Sequence, residues 1–255
     1  MDKLYNLFDN KAALYAANRP GYSPHVLKYL QEDLGYSPPA LGADIGCGTG
    51  QLTKILAGYF DLLYAVEPND FMMKECQKRL CNYINIHYIY HCAERTEIDN
   101  NILDYITVAQ AFHLFHNMET LRELKRILKP DERLIIIYNM KNHSSDLFQK
   151  NEEVLLKHCP LYRRNFHAME FEYDSFRDCF TEDSYQYRYF PNDNTEYLDC
   201  DTFVNRTLSA SYAIQRGDPS FPVFVKELAA VFADFSVNHK VKMELSTVIY
   251  SGRLR

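Results

Sequence analysis

The sequence predicts an α/β fold: a Rossmann-like, seven-stranded and mostly parallel sheet with helices on both faces and an inserted helical, aromatic-rich cap. Three observations predict it. Strand-like and helix-like runs alternate through the first 140 residues, a glycine-rich turn joins the first of these strands to a helix, and the pattern becomes irregular and aromatic beyond residue 145.

The first unit contains the glycine-rich turn. Residues 25–34 carry apolar side chains at helical spacing, and the prolines of the following YSPPA segment end this helix. Residues 41–45, LGADI, are typical of a short buried strand, and residues 51–58, QLTKILAG, are typical of a helix that ends at Gly58. The turn GCGTG therefore lies between a strand and a helix.

The next units repeat this alternation of strand and helix. The pattern predicts strands at residues 61–67, 84–90, 103–109 and 133–139, and helices at residues 70–81 and 118–128, the last of them closed by Lys129 and Pro130. Buried strands that alternate with helices form a parallel sheet with right-handed crossovers and helices on both faces.

The second half of the chain is predicted to complete the same sheet. Residues 144–159, 201–212 and 221–235 have helical patterns, while residues 184–190 and 241–254 are typical of strands. We expect a single domain, with the N-terminal segment and ligand-binding core in residues 1–145 and the cap and last two strands in residues 146–255. A separate second domain is the alternative.

Composition and charge restrict the possible partners and compartment. A formal net charge of -6 over 255 residues argues against broad binding to nucleic acid, which needs clustered Lys and Arg. The seven cysteines are odd in number and form no C-x-x-C pair, so we expect reduced thiols. The opening residues lack a signal-peptide pattern and no apolar run is long enough for a membrane span. We therefore expect a cytoplasmic protein without a membrane or nucleic-acid partner.

The spacing of the glycines indicates which ligand the turn holds. Gly46, Gly48 and Gly50 are each two residues apart, unlike the G-x-G-x-x-G of dinucleotide folds, and no Gly-Lys-Ser/Thr of a Walker A loop follows. Asp44 precedes the first glycine and would repel a pyrophosphate. The pattern favours a ligand that places an ammonium group at the turn.

A second acid lies at the end of the next predicted strand. Glu67 follows the run YAV, and a carboxylate at that place can accept hydrogen bonds from both hydroxyls of a ribose. A nucleoside that carries an amino acid would satisfy both Asp44 and Glu67. The alternative is that the two acids only cap the neighbouring turns.

Together these segments carry a family resemblance. The order ADIGCGTGQLT, YAVEPND, HCAERTEI, LDYITVAQAFHLF and RILKPDERLIII resembles a class I S-adenosylmethionine-dependent methyltransferase of the type 11 group. The opening FDNKAALYAANRPGYSP and the closing VIYSGRL are similar to small-molecule methyltransferases of the trans-aconitate and ubiquinone/menaquinone type. The resemblance implies S-adenosyl-L-methionine (SAM) as cofactor, S-adenosyl-L-homocysteine (SAH) as product, a small-molecule acceptor, and a monomer or homodimer.

The resemblance also assigns candidate cofactor-binding residues. Asp44 would contact the methionine ammonium group and Glu67 the ribose hydroxyls. Cys92 stands where relatives often carry Asp, so backbone amides could make the contact at the adenine edge. The other implied contacts are Gly46, Cys47, Gly48 and Gly50 along the homocysteine part, Asn69, Met72, Ala93 and Glu94 around the adenine, Gln110 and Ala111 beside the methionine part, and Tyr15 and Arg19 from the N-terminal segment.

The chemistry of methyl transfer needs few catalytic groups. His113 follows the fourth predicted strand and is the candidate base, or else a residue of the pocket wall. Arg206, Tyr212 and Arg216 of the cap are candidate substrate contacts, although solvated arginines are a common alternative. No metal is expected, because no further ligand accompanies His113 and His116. A SAM-binding module without catalysis and a nicotinamide-dependent oxidoreductase are the competing functions.

Overall fold

A computed structural model describes residues 11–162 and 175–255 of the chain. In the first half, strands and helices alternate as the sequence predicts, and the helices Gln51–Ala57, Asp70–Arg79 and Met118–Ile127 lie close to their predicted bounds. The helix predicted at residues 25–34 is α-helical over Pro24–Lys28 and continues as a π-helix over Tyr29–Asp33, and the short helices Ala12–Asn18 and Phe112–Phe115 were not predicted. The elements of this half are α1 (Ala12–Asn18), α2 (Pro24–Lys28), β1 (Leu41–Ile45), α3 (Gln51–Ala57), β2 (Leu62–Val66), α4 (Asp70–Arg79), β3 (Ile86–Ile89), β4 (Leu103–Ala109), α5 (Phe112–Phe115), α6 (Met118–Ile127) and β5 (Leu128–Lys141).

The second half adds two strands to one edge of the main sheet and forms the cap. Its elements are α7 (Asp146–His158), β6 (Gln186–Phe190), β7 (Glu196–Leu198), α8 (Cys200–Leu208), α9 (Phe221–Phe235), β8 (Val241–Met243) and β9 (Leu245–Gly252). The main sheet has seven strands in the order β3-β2-β1-β4-β5-β9-β6, and β9 runs antiparallel to both of its neighbours. The seven-stranded, mostly parallel sheet predicted from the sequence is confirmed.

The closing strand differs from its prediction. Residues 241–254 are predicted as one strand, but Glu244 separates β8 from β9, and β8 pairs with β7 in a small second sheet. The Glu244 carboxylate accepts hydrogen bonds from Lys242 Nζ at 2.6 Å and Asn142 Nδ2 at 2.9 Å. These bonds fix the chain where it passes from the cap to the main sheet.

The order of the strands brings the candidate ligand-binding residues to one edge of the sheet. β1 lies between β2 and β4, and in register Asp44 is opposite Ala65 on one side and Thr107 on the other. The carboxyl ends of parallel strands meet at one edge of such a sheet, where open α/β folds bind ligands. The turns that follow β1, β2 and β4 therefore share that edge.

Three clusters of buried side chains stabilise the fold. One cluster covers each face of the sheet, and Phe112 and Leu52 are representative of the two faces. The third lies within the cap, where Phe203 of α8 and Phe224 of α9 are almost fully buried among side chains of α7. The cap thus has its own apolar core. Within the described ranges no helix is both long and apolar enough to cross a bilayer.

Candidate functional site

The glycine-rich turn is closely packed behind and open in front. Gly46, Gly48 and Gly50 all have positive φ angles, at +70°, +57° and +80°. Residues other than glycine rarely adopt this backbone conformation. A Cβ on Gly50 would lie 2.7 Å from Cys76 Sγ, and a Cβ on Gly46 would lie 3.0 Å from the Cβ of Ala111. A Cβ on Gly48 would meet nothing within 4 Å. The open space in front of Gly48 belongs to a large cavity.

Asp44 lies at the base of this turn and is almost fully buried. Its carboxylate accepts hydrogen bonds from Thr53 Oγ1 at 2.7 Å and from Thr107 Oγ1 at 3.2 Å. Burial raises the pKa of Asp44 to about 6, although both threonine hydroxyls act in the opposite direction. Near neutral pH the carboxylate is largely ionised and is suited to a cationic ligand.

Glu67 supports the same turn from the end of β2. Its Oε2 accepts a hydrogen bond from the backbone N–H of Gly48 and its Oε1 accepts one from the N–H of Asn69, both at 3.0 Å. Burial raises the pKa of Glu67 to about 7, and Asp44 contributes in the same direction. Each carboxylate oxygen has a further lone pair, so the side chain can still accept hydrogen bonds from a ligand.

A cavity of about 660 Å³ extends from the glycine-rich turn to the cap. We call the part lined by the turn and by the N-terminal segment the turn end, and the part lined by α7, α8 and the end of β5 the cap end. The sequence-predicted residues that line it are Tyr15, Arg19, Asp44, Gly46, Cys47, Gly48, Gln110, His113, Arg206 and Tyr212. Those that do not line it are Gly50, Glu67, Asn69, Met72, Ala93, Glu94, Ala111 and Arg216.

The predicted adenine contacts lie beside the cavity rather than in its wall. Asn69 caps α4, since its Oδ1 accepts hydrogen bonds from the backbone N–H groups of Phe71 and Met72, both at 3.0 Å. Glu94 Oε1 accepts a hydrogen bond from Asn117 Nδ2 at 3.1 Å, while its buried Oε2 has no partner in the described part of the chain. These residues follow β2 and β3, on the far side of Glu67 from the cap.

His113 contacts a tyrosine of the neighbouring strand. The Tyr138 hydroxyl accepts a hydrogen bond from the backbone N–H of His113 at 3.1 Å and lies 3.2 Å from its Nδ1. Burial lowers the pKa of His113 to about 4, so the imidazole is neutral at physiological pH. Gln110, which lines the cavity beside it, has a φ of 57° and donates from Nε2 to the carbonyl of Asn139 at 3.0 Å. The wall of the cavity therefore contains a neutral imidazole.

The two histidines after β4 have different partners. His116 Nε2 lies 3.1 Å from Cys179 Sγ, away from the Tyr138 contact of His113. Nowhere in residues 11–162 and 175–255 do three or more His, Cys, Asp or Glu side chains come close enough to hold a metal ion.

Two buried donors at the turn end of the cavity lack acceptors. The Arg19 guanidinium lies 4.5 Å above the Tyr15 ring, and its Nε has no hydrogen-bond partner within the described residues. Gln51 Nε2, at the start of α3, is unpartnered in the same way. Both side chains line the cavity. Leaving a buried donor without an acceptor is unfavourable, so the pair fits a ligand that brings an anionic group to this end.

Comparison with known proteins shows which family the core of the chain is similar to. Residues 43–136, which contain the glycine-rich turn, Glu67 and His113, match the family model described as a methyltransferase domain. Over this range, which runs from β1 to β5, the chain is similar to methyltransferase domains. An uncharacterized methyltransferase of Schizosaccharomyces pombe is 27% identical over 151 residues, or 59% of this chain and 59% of that protein. A ubiquinone/menaquinone biosynthesis C-methyltransferase of Ectopseudomonas mendocina is 29% identical over 117 residues, or 43% of this chain and 46% of that protein.

The chain thus spans only about half the length of these relatives. In solved structures, the similarity in fold covers more of the chain. A protein described as a type II methyltransferase from Anaeromyxobacter dehalogenans superposes with a TM-score of 0.62 at 19% identity, covering 92% of this chain and 97% of that one. Phosphoethanolamine N-methyltransferase 2 of Haemonchus contortus, in complex with phosphomonomethylethanolamine and SAH, gives 0.55 at 15%, covering 98% and 58%. The methyltransferase fold therefore includes the cap half of the chain.

Several residues that line the cavity were missed by sequence reasoning. Tyr138 is the clearest, because its place at the carboxyl end of the strand beside β4 could have indicated that it reaches the turn after β4. For most of the others, the sequence carries no local signal. They include Tyr22, Gln51, Lys141, His143, Phe148, Asn151 and Thr207.

Proposed function

We propose that the protein transfers the methyl group of SAM to an O, N or C atom of a small-molecule acceptor. The observation that carries this proposal is one continuous cavity with the glycine-rich turn and Asp44 at one end and His113 and the cap at the other. A donor and an acceptor can meet in such a cavity away from bulk water. The net charge of -6 supports a small molecule over nucleic acid as the acceptor.

The residues at the turn end suit the amino-acid part of SAM. The ionised Asp44 offers a carboxylate for the ammonium group, and the unpartnered donors of Arg19 and Gln51 suit the carboxylate. Gly46, Cys47 and Gly48 leave room for the homocysteine chain to approach the backbone. The match to a methyltransferase domain over residues 43–136 supports the same assignment.

The residues beyond the turn suit the nucleoside part. We assign the ribose hydroxyls to Glu67, whose oxygens retain free lone pairs. The assignment also places Asn69 and Met72 on one side of the adenine, and Ala93 and Glu94, with its unpartnered Oε2, on the other. Gly50 shapes the turn, Gln110 and Ala111 lie beside the methionine part, and Tyr15 closes the cavity from above.

When bound, SAM supplies a methyl group that is already activated by its sulfonium charge, and transfer is an in-line displacement. The protein has to align the acceptor, exclude water and, for a hydroxyl or ammonium acceptor, remove a proton. His113 is neutral and can accept that proton on Nε2 only if Nδ1 carries the ring proton and donates it to the Tyr138 oxygen. If the Tyr138 hydroxyl donates to Nδ1 instead, His113 only orients the acceptor.

Thermal unfolding tests the cofactor assignment. SAH at about 100 times its dissociation constant should stabilise the chain by about 2.7 kcal/mol and raise Tm by roughly 5 to 10 °C. NAD should have no effect, and Asp44→Asn should show a smaller shift with SAH because it keeps the shape of Asp44 but removes its charge. Stabilisation by NAD alone would favour a nicotinamide-dependent enzyme and overturn the proposal.

The same preparation tests catalysis. His113→Asn should bind SAH as the wild type does but transfer methyl groups about 10² to 10⁴ times more slowly, if His113 is the base. Nitrogen-15 NMR at neutral pH would then show His113 protonated on Nδ1. A protein that binds SAH but methylates no member of a broad acceptor panel would instead be a catalytically inactive SAM-binding module.

A further inference from the structure

The cap end of the cavity contains a cation and an amide that the cofactor assignment does not use. Lys141, at the end of β5, and Asn151, on α7, both line this end. We propose that they bind a carboxylate of the acceptor, and that this carboxylate anchors the acceptor while a different atom of it is methylated. The inference rests on the proposed methyl transfer and names the class of acceptor.

Charge at this end of the cavity is positive and unbalanced. Asp44 is the acid among the lining residues of the described chain. It lies away from Lys141, because in register Asp44 is opposite Thr107 and Thr107 is opposite Ile135, six residues before Lys141 on β5. Arg206 is already neutralised, because its Nη1 lies 2.5 Å from Glu196 Oε2. Lys141 forms no ion pair in the part of the chain that the structure describes. A cation left unpaired in a protein of net charge -6 indicates an anionic ligand.

Asn151 provides an independent indication of a polar ligand. Its side chain is 7% exposed, and its Oδ1 is buried without a hydrogen-bond partner among the described residues. No bond at Oδ1 holds the amide in this orientation, so it can turn to present Nδ2 to an anion. A buried amide without a partner is unfavourable unless a ligand supplies one.

Phe148 connects these two side chains and adds an apolar wall. Lys141 Nζ lies 5.4 Å from the centre of the Phe148 ring, and Phe148 precedes Asn151 by one helical turn of α7, so the three side chains share one face of the cavity. Leu161, Phe203 and Met243 extend the apolar lining. One ammonium group and one amide match a singly charged carboxylate, whereas a phosphate is usually met by several cationic donors.

The position of Lys141 along β5 separates this anchor from the reacting group. Tyr138, which contacts His113, and Lys141 are three residues apart on an extended strand, so their Cα atoms are about 10 Å apart along it. The proposal therefore places the carboxylate at a different point along β5 from the base candidate. On this proposal the methylated atom belongs to another part of the same molecule, and the product keeps a free carboxylate.

Ligand binding to the full-length chain tests the anchor directly. We would measure dissociation constants for benzoate, phenylacetate, mandelate and hexanoate, for their primary amides, and for phenyl phosphate, each with and without SAH. We expect the carboxylates to bind at least about tenfold more tightly than their amides, which corresponds to about 1.4 kcal/mol. Lys141→Met and Asn151→Asp should abolish this preference, while SAH affinity stays unchanged.

Lys150→Met is the matched control. Lys150 lies on the outer side of α7, pairs with Glu153 at 2.8 Å and does not line the cavity, so its removal should leave the preference intact. Equal binding of amides and carboxylates, tighter binding of phenyl phosphate, or a preference that survives in Lys141→Met would overturn the inference. Failure of SAH to bind while the Lys141-dependent preference persists would overturn the proposed function alone.

Product analysis tests the separation of anchor and methyl group. Carboxylates that bind would be incubated with SAM labelled in its methyl group, and the product would be treated with mild alkali. We expect the label to remain on the product, because the methyl group is on a different atom. Release of the label as methanol would identify a methyl ester and overturn the inference.

Discussion

At the scale of single residues, Glu67 joins the glycine-rich turn to the proposed ribose site. Its two oxygens hold the backbone of Gly48 and Asn69, and its burial favours the protonated form. Because ribose hydroxyls donate to an ionised carboxylate, ligand binding should favour loss of that proton. The affinity for SAH is therefore expected to depend on pH around neutrality.

We predict that SAH affinity rises between about pH 6 and about pH 8, because the pKa of Glu67 is raised to about 7. Glu67→Gln should lower the affinity by about 1 to 3 kcal/mol at the higher pH and flatten the rise. Titration calorimetry at both pH values measures this. The residual slope in Glu67→Gln is expected from Asp44, whose pKa of about 6 is raised by burial in the same direction.

Stability should change with the opposite sign. Between the ordinary pKa of a glutamate, 4.5, and the folded-state value of about 7, the native chain binds more protons at Glu67 than the unfolded chain does. The contribution of Glu67 to the free energy of unfolding therefore falls as pH rises through this window. In denaturant unfolding, the free energy of unfolding of Glu67→Gln should fall less steeply with pH than that of the wild type. Equal slopes would contradict the raised pKa of Glu67.

Individual site residues could be predicted from the sequence where one turn defines them. Asp44 and Gly48 lie within one strand-turn-helix unit, so their place beside each other at the cavity follows from their spacing. Asn151 could not be predicted, because its approach to the cavity depends on how α7 is rotated within the cap. For Tyr138 the sequence indicates a place at the carboxyl end of β5, but not the register of β5 against β4 that brings it to His113. The spacing of apolar residues in the sequence indicates neither the register of a strand nor the rotation of a helix.

At the scale of secondary-structure elements, α1 is a lid tied to the cap at both ends. Before it, Lys11 is buried and its Nζ donates to the carbonyls of Ala210 at 2.7 Å and Ala213 at 2.8 Å. At its end, Arg206 Nε donates to the carbonyl of Asn18 at 2.8 Å. Because α1 brings Tyr15 to the cavity, these bonds position the roof of the proposed cofactor site.

Lys11→Met should loosen this lid. Burial lowers the pKa of Lys11 to about 8, yet at neutral pH its ammonium group still bonds two carbonyls that methionine would leave unpartnered. We expect faster amide hydrogen exchange in α1 and weaker SAH binding, with α4 unchanged. Lys28→Met is the control, since Lys28 is exposed and pairs only with Glu32 at 3.6 Å within the described chain. Equal exchange in both variants would show that Lys11 does not hold the lid.

Elements were predictable from the sequence where local pattern determines them, and not where tertiary contacts do. The bounds of α9 match the prediction, because its apolar face is continuous over residues 221–235. Helix α1 was not predicted: it is short, lacks a side-chain cap, and is stabilised by its contacts with α8 and α4. The break at Glu244 was missed because an acid within a strongly apolar run carries no turn signal.

At the scale of the whole molecule, the cavity joins parts of the chain that are distant in sequence. The N-terminal lid, the glycine-rich turn, the end of β5 and the cap all contribute lining residues. A ligand at the turn end therefore contacts both the lid and the sheet, whereas α9 contributes no lining residue and packs within the cap core. Cofactor binding should rigidify one part of the molecule more than the other.

Hydrogen exchange with saturating SAH tests this division. We expect slower exchange in α1, in the turn from Gly46 to Gly50 and around Gln110, because opening of these segments would require the ligand to leave. Exchange in α9 should be unchanged, because it packs within the cap core and contributes no residue to the lining of the cavity. In Asp44→Asn, the protection at α1 should shrink in parallel with the loss of SAH affinity. Uniform protection of α9 and α1 would instead mean that the ligand stabilises the fold globally rather than through the contacts proposed for the turn and the lid.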